Sequence, residues 1–316
     1  IFLLLLLIVL CTAGGFGVYM LKGGDFSTPA NSFNAFSEFD NTLTSKEEQR
    51  AAGFAHDFCV VTKDVALDSV SLDDSQSGVL LNLSDKKVLY AKGAYNKVYP
   101  ASITKLMTIL LALENGKLTD EITFSHDAVY HIEPGSAHIA ILEGETLTLE
   151  QVLRAIILRS ANEASNGVAE YVDGSVEAFA KHMTERAKEL GCTNTNFVNA
   201  NGLFDENHYT TAHDMALIAR ELLKHEEYRS MMSETDYEIP PTNLQTETRY
   251  LHGQHQMLNP NSIYYYKDAI GGKTGYTVEA GNTLVTYAER DGLTLIAVVM
   301  KCNGAEHYTD TAALFD

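Results

Sequence analysis

The chain has 316 residues, of which 45% are apolar, and carries a formal net charge of −19. That length holds one large domain or two smaller ones with a sizeable core. The acidity argues against a surface that binds nucleic acid or anionic lipid, and suits a soluble surface outside the cell or a positively charged partner.

The chain opens on Ile1–Leu21, which carries no charge before Lys22. Ile1–Leu10 has the length of a signal-peptide core, and small residues around Ala13 offer a cleavage site. The whole of Ile1–Leu21 is also long enough to cross a bilayer once. Residues 1–22 are therefore read as a signal peptide or a retained membrane anchor, and both readings stay open. Bulky Leu10 disfavours a lipid anchor on Cys11. Each reading puts the rest of the chain outside the cytoplasm. Residues 23–56 are rich in Gly, Ser, Asn and charge, with at most a local helix around Ser45–Ala52. They read as a tether that reaches on the order of 100 Å when extended.

Order is expected from Asp57, and residues 57–316 are read as one catalytic domain. The runs 78–83 and 87–93 flank the polar turn Ser84-Asp85-Lys86 and predict a β-hairpin. An apolar helix follows from about Ser102 to Glu114, closed at Asn115-Gly116. Residues 147–160 predict a helix with Thr148 near its N-cap, and 175–191 an amphipathic helix that stops at Gly191. Residues 210–225 predict another, capped by Thr211. Residues 281–290 and 293–301 read as antiparallel strands joined by Asp291-Gly292. Residues 307–316 start a last helix. The fold class is therefore α/β (α+β), an antiparallel sheet built from both ends of the domain, flanked by helices and with a helical insertion. The four cysteines, Cys11, Cys59, Cys192 and Cys302, are far apart. That spacing disfavours a disulfide scaffold or a zinc knuckle. A Cys59–Cys302 bridge is conceivable, and buried thiols are the simpler reading.

Three short motifs carry chemistry. Ser102 and Lys105 stand three apart, neighbours on one helix face. Leu106, Met107, Ile109, Leu110 and Leu111 follow on nearly all sides, so the helix is expected to be buried. A buried lysine must be paired or lose its charge, and a neutral lysine beside a hydroxyl is a base beside a nucleophile. A helix N-terminus also offers N–H groups to a developing oxyanion. Ser102 as a plain helix cap is the blander reading, and Ser84-x-x-Lys87 is a second copy of the pattern in a predicted turn. Next, Ser160-Ala161-Asn162 lies at a junction between apolar runs, where polar groups reach a cleft without breaking a core. Last, Lys273-Thr274-Gly275 precedes the strand 281–290 and is read onto an edge strand whose glycines let a ligand approach. Gly272-Lys273-Thr274 also resembles the end of a phosphate loop. That motif needs glycine where Lys267 stands, and it runs into a helix rather than a strand.

In this order the trio matches the signature of class A β-lactamases and penicillin-binding proteins. From about residue 57 onward the chain resembles the serine D-alanyl-D-alanine carboxypeptidases, the low-molecular-weight penicillin-binding proteins. The stretches 100–108, 190–203 and 271–285 carry the likeness beyond the trio. The family commonly shows Ser-Gly-Asn-Asp-Ala where this chain has Ser160-Ala-Asn-Glu-Ala164. A β-rich domain that follows in many members does not appear before Asp316.

The resemblance implies a serine hydrolase that needs neither cofactor nor metal, acts on peptidoglycan stem peptides and is acylated by β-lactam antibiotics. It implies that Ser102 attacks the carbonyl between two D-alanines, that Lys105 takes its proton and that Ser160 relays one to the leaving amine. Asn162 then holds the substrate amide and the lysine. Lys273 supplies positive charge and Thr274 binds the terminal carboxylate, while Gly275 and Tyr276 complete the edge. The N–H groups of Ser102 and Tyr276 are the expected oxyanion hole. Members often use an arginine near the last helix for the carboxylate; here the nearest candidate is His307.

Rival readings are a D,D-endopeptidase on cross-links, a β-lactamase and a non-catalytic wall-binding module of the same fold. A class A β-lactamase deacylates through a glutamate in E-x-x-x-N, and none occurs between Glu163 and Gly272. His252 and His255 resemble a metal pair but lack a further ligand and are read as surface loop histidines. His126, His131 and His138 are read as surface too.

Overall fold

The computed structural model describes residues 61, 63–67, 70, 72 and 77–316. The apolar opening, the tether with its local helix, the expected start of order at Asp57, Cys11 and Cys59 lie outside the described residues. Among these residues no helix is long and apolar enough to cross a membrane.

Five antiparallel strands form the main sheet: β1 (Ser77–Asn82), β2 (Lys87–Lys92), β7 (Ala269–Thr277), β8 (Gly281–Arg290) and β9 (Leu293–Cys302). Their order is β2-β1-β9-β8-β7. The first strand lies beside the last, with Leu80 opposite Ala297. Asp291 and Gly292 take φ of 52° and 78° in the turn between β8 and β9. Two positive φ values give the turn whose twist matches a hairpin. Two smaller two-stranded sheets, β3 (Glu121–Thr123) with β4 (Thr146–Thr148) and β5 (Asp236–Ile239) with β6 (Arg249–His252), went unread in the sequence. Short, half-polar strands carry little period-2 signal.

The sheet is covered on both faces, and its period-2 alternation sorts side chains into two cores. Val79, Leu81, Val285, Ile296 and Val298 face the helical layer. Leu80, Leu284, Ala297 and Val299 face the closing helix with Tyr308, Leu314 and Phe315. This explains why β8 and β9 read as continuous apolar runs.

The helical layer is built around α1 (Lys105–Asn115), which is buried from Lys105 through Ala112. A helix apolar on all sides can only be central. Around it stand α2 (His126–Tyr130), α3 (Leu149–Arg159), α4 (Asn162–Asp173), α5 (Val176–Glu189), α6 (Ala212–Leu222) and α7 (Glu226–Met231). The closing helix is α8 (Glu306–Phe315). Thr148 and Gln151 form a reciprocal capping box at α3, and Ser175 and Thr211 cap α5 and α6. The predicted helix start at Ser102 is corrected: Ala101–Thr104 is a 3-10 turn that feeds into α1. Its tight i→i+3 bonding runs from the Lys105 N–H to the Ser102 carbonyl. Ser102 is not a cap, because no side-chain cap bond starts either segment.

Candidate active site

Three elements converge where the motifs lie. The Ser102 turn is pinned to the sheet by Thr283 Oγ1, which donates to the Pro100 carbonyl at 2.8 Å. Ala101 takes φ of 51°, an unusual value for alanine, so the chain enters the turn through a sharp bend. Gly275 on β7 lies directly beneath. A methyl group on it would meet Thr283 Oγ1 at 2.4 Å and the Ser102 amide nitrogen at 2.8 Å. The edge strand therefore approaches Ser102 to a distance that only glycine allows. Ser160 ends α3 with φ of 57°, and Asn162 opens α4 two residues later. The left-handed residue turns both polar side chains into the same cleft.

Lys105 is fully buried. Its Nζ lies 2.7 Å from Asn162 Oδ1, 2.5 Å from the Asn201 carbonyl and 3.0 Å from Ser102 Oγ. Two of these partners are carbonyl oxygens, which only accept. They take two of the amine hydrogens. In the uncharged amine the lone pair is then left for the Ser102 hydroxyl. Burial holds Lys105 well below the ordinary lysine range, nearby Lys273 adds to that, and Glu163 opposes it. Lys273 is 2% exposed; its Nζ donates to Ser160 Oγ at 3.0 Å and to the Thr274 carbonyl at 2.7 Å. Burial pushes it down to about 7. Neither lysine forms an ion pair among the described residues.

Ser102, Ser160, Thr274, Gly275, Tyr276 and His307 line one cleft of about 330 Å³. Lys105, Asn162 and Lys273 are bonded to this wall or to one another, so the three motifs and His307 gather in one region. Tyr276 is exposed at the rim. His307 is buried, and burial pushes its imidazole down to about 4, so it faces the cleft uncharged. Lys273-Thr274-Gly275 runs inside a strand, which removes the phosphate-loop reading.

The reading of His255 is corrected. It is not a surface histidine: it lies buried beneath β7, its Nε2 3.1 Å from Thr286 Oγ1, with burial pushing it down to about 3. It packs where Gly272 leaves room, since a methyl there would stand 2.7 Å from Nε2. His252, His126, His131 and His138 are exposed as read, and no cluster that could hold a metal occurs among the described residues. Cys192 and Cys302 are buried.

Sequence reasoning missed the 198–203 loop, which supplies the third partner of Lys105. Three contacts hold it. Thr108 Oγ1 donates to the Ala200 carbonyl at 2.6 Å, and Asn201 Nδ2 donates to Asn166 Oδ1 at 3.2 Å. His208 accepts from the Val198 N–H through Nδ1, so its Nε2 carries the hydrogen offered to Thr104 Oγ1 at 2.8 Å. Gly202 has φ of 84°, and a methyl there would lie 2.0 Å from the Ala101 carbonyl. A backbone carbonyl leaves no mark of its own in a sequence; the available signals were this glycine and the family likeness of 190–203, neither of which named Asn201 as a partner of Lys105.

The D-alanyl-D-alanine carboxypeptidase family profile matches residues 65–304. The chain is 38% identical over 232 residues to DacF of Bacillus subtilis, which covers 72% of this chain and 57% of that protein. It is 32% identical over 238 residues to DacC of Escherichia coli, covering 72% of this chain and 56% of that protein. The chain thus spans a little over half the length of these two relatives. Among solved structures, the Streptomyces K15 DD-transpeptidase superposes with a TM-score of 0.72 at 25% identity, covering 78% of this chain and 97% of that one.

Proposed function

Because the chain belongs to the D-alanyl-D-alanine carboxypeptidase family, we propose that it removes the terminal D-alanine from peptidoglycan stem pentapeptides through an acyl-enzyme on Ser102. Penicillin and other β-lactams acylate the same hydroxyl. One observation carries this reading. The Lys105 amine has two of its sites occupied by carbonyl oxygens and its remaining one 3.0 Å from Ser102 Oγ.

The steps follow from the geometry and the family likeness. Lys105 Nζ takes the hydroxyl proton as Ser102 Oγ bonds to the carbonyl carbon between the two D-alanines. Charge gathers on the carbonyl oxygen, which the N–H groups of Ser102 and Tyr276 receive. Collapse breaks the C–N bond, and Ser160, bonded to Lys273, relays to the leaving amine the proton that Lys105 took, so that both groups end neutral. Asn162 steers both the lysine and the substrate amide. Lys273 and Thr274 take the terminal carboxylate, with His307 as a neutral hydrogen-bond donor beside it. A carboxylate next to Lys273 favours the charged lysine, and that charge keeps Lys105 neutral. Water then attacks the ester and regenerates Ser102.

This substrate lies outside the cytoplasm, so the protein acts at the outer face of the membrane or in the wall, exported through its N-terminal apolar segment. Residues 57–316 are the catalytic domain in this reading. Labelling with a fluorescent penicillin tests it: the wild type becomes covalently labelled and Ser102→Ala does not. Label retained on Ser102→Ala overturns the nucleophile. Mass spectrometry of wall fragments separates loss of one terminal alanine from splitting of cross-linked dimers. Nitrocefin gives a stoichiometric burst, whereas fast repeated turnover identifies a β-lactamase.

A further inference from the structure

His208 is a buried titratable group that the reaction above leaves unused. It is 1% exposed, and its ring stands edge-on to Phe197 at 5.4 Å between centroids. The backbone around it is fixed. Its own N–H donates to the Asp205 carbonyl at 3.0 Å, Tyr209 pairs with Asn196, and Thr210 pairs with Val98 just ahead of the Ser102 turn.

From this ledge the ring reaches two parts of the site at once. Nδ1 accepts from the Val198 N–H at 3.2 Å, where the 198–203 loop begins. Nε2 then carries the ring hydrogen and donates it to Thr104 Oγ1 at 2.8 Å. Thr104 is fully buried and is the last residue of the turn that holds Ser102. Thr108 and Asn166 tie the loop to α1 and α4, whereas His208 ties it to the turn itself.

These contacts close a circuit. Thr104 precedes Lys105, Lys105 Nζ bonds the Asn201 carbonyl of the loop, and Val198 of the same loop returns through His208 to Thr104. A slip of the turn against the loop therefore alters the reach of Lys105 toward Asn201 and toward Ser102 together. A neutral imidazole suits the link, because it offers one acceptor and one donor on a rigid ring. A protonated ring has two donors and would set N–H against N–H at Val198. Burial favours the neutral form and pushes the ring down to about 4.

We propose that His208 is a positioning residue for the reaction: as a neutral ring with its hydrogen on Nε2, it locks the Ser102 turn to the 198–203 loop and so holds Lys105 in line with Ser102. This rests on the assignment of Ser102 and Lys105 above.

The test uses fluorescent penicillin on the full chain and reads two quantities, the fraction of molecules labelled at completion and the second-order rate of labelling. Thr104→Val keeps the shape of the buried side chain and removes the oxygen that His208 bonds. The labelled fraction is expected to stay at the wild-type value while the rate falls about tenfold or more, since small misplacements of reacting groups cost rate steeply. Thr104→Ser restores the oxygen and brings the rate back to within about threefold. His208→Phe keeps a ring and removes both nitrogens. It is expected to be at least as slow as Thr104→Val, and Thr104→Val added to it slows it no further, because the link is already broken. A rate within twofold of wild type in Thr104→Val overturns the proposal. So does a reduced labelled fraction that reacts at the wild-type rate, which is the mark of lost stability alone. A Thr104→Ser variant as slow as Thr104→Val, or a double variant in which the two losses multiply, also overturns it. A further readout needs no variant: the ring nitrogen shifts of His208 at neutral pH must report a bare Nδ1 and a protonated Nε2, and the opposite tautomer or a charged ring sinks the proposal. Ser102→Ala runs alongside; if that variant is still labelled, the underlying assignment has failed rather than the role of His208.

Discussion

Two stretches of this chain read Ser-x-x-Lys, and they have little else in common. Ser84 and Lys87 lie at the tip and exit of the β1–β2 hairpin, both exposed, with Ser84 Oγ accepting from the Thr294 N–H at 3.1 Å. Ser102 and Lys105 enter the central helix, where the lysine is fully buried and meets three oxygens. Spacing is the same and chemistry is not. Enclosure, with a second amine nearby, holds the Lys105 amine well below the ordinary lysine range. In the proposed reaction, enclosure rather than spacing sets the two apart.

That contrast can be broken in four ways. The largest effect belongs to Lys105→Met, which keeps the bulk and removes the base. Acylation by penicillin is expected to fall at least ~1,000-fold, and a rate within tenfold of wild type would remove Lys105 from the mechanism. Gly202→Ala comes next. It puts a methyl against the Ala101 carbonyl and forces a side chain into positive φ. Unfolding titrations should show about 2 kcal/mol or more of lost stability, with acylation slowed because the Asn201 carbonyl moves with it.

The third test is thermodynamic. Lys273 has a folded pKa of about 7, far below that of an unfolded lysine. A base depressed in this way contributes stability that is complete above the unfolded pKa and is lost as pH falls toward 7. The wild type should therefore gain about 1.4 kcal/mol per pH unit between roughly pH 7 and pH 10 relative to Lys273→Met. Parallel stability curves for the two proteins would mean that the amine is solvated. The smallest effect is expected at the other motif. Ser84→Ala with Lys87→Ala should leave acylation unchanged and stability within about 0.5 kcal/mol. A loss of activity there would mean that the hairpin takes part in the reaction.

Much of the fold was open to sequence reasoning because its signals are local. The capping residues Thr148 and Thr211, the Asp291-Gly292 turn and the apolar run of β1 before a polar turn each fix an element within a few residues. Three of the groups that meet around the two amines, on Ser102, Ser160 and Asn162, could be proposed because they are side chains in recurring motifs. The 198–203 loop could not, since it contributes a main-chain oxygen brought in from far along the chain. His255 was misread for a related reason. Its neighbours in sequence are polar, and only the gap above it at Gly272 makes it an interior residue.

The pairing of β1 with β9 has a temporal consequence. Leu80 must wait for Ala297 before the centre of the sheet exists, and the strand that braces Ser102 belongs to that sheet. Contacts so distant along the chain form late and slowly. A nascent polypeptide that has passed Lys273 therefore holds every residue of the three motifs, yet the sheet beneath Ser102 is incomplete until β9 has been made.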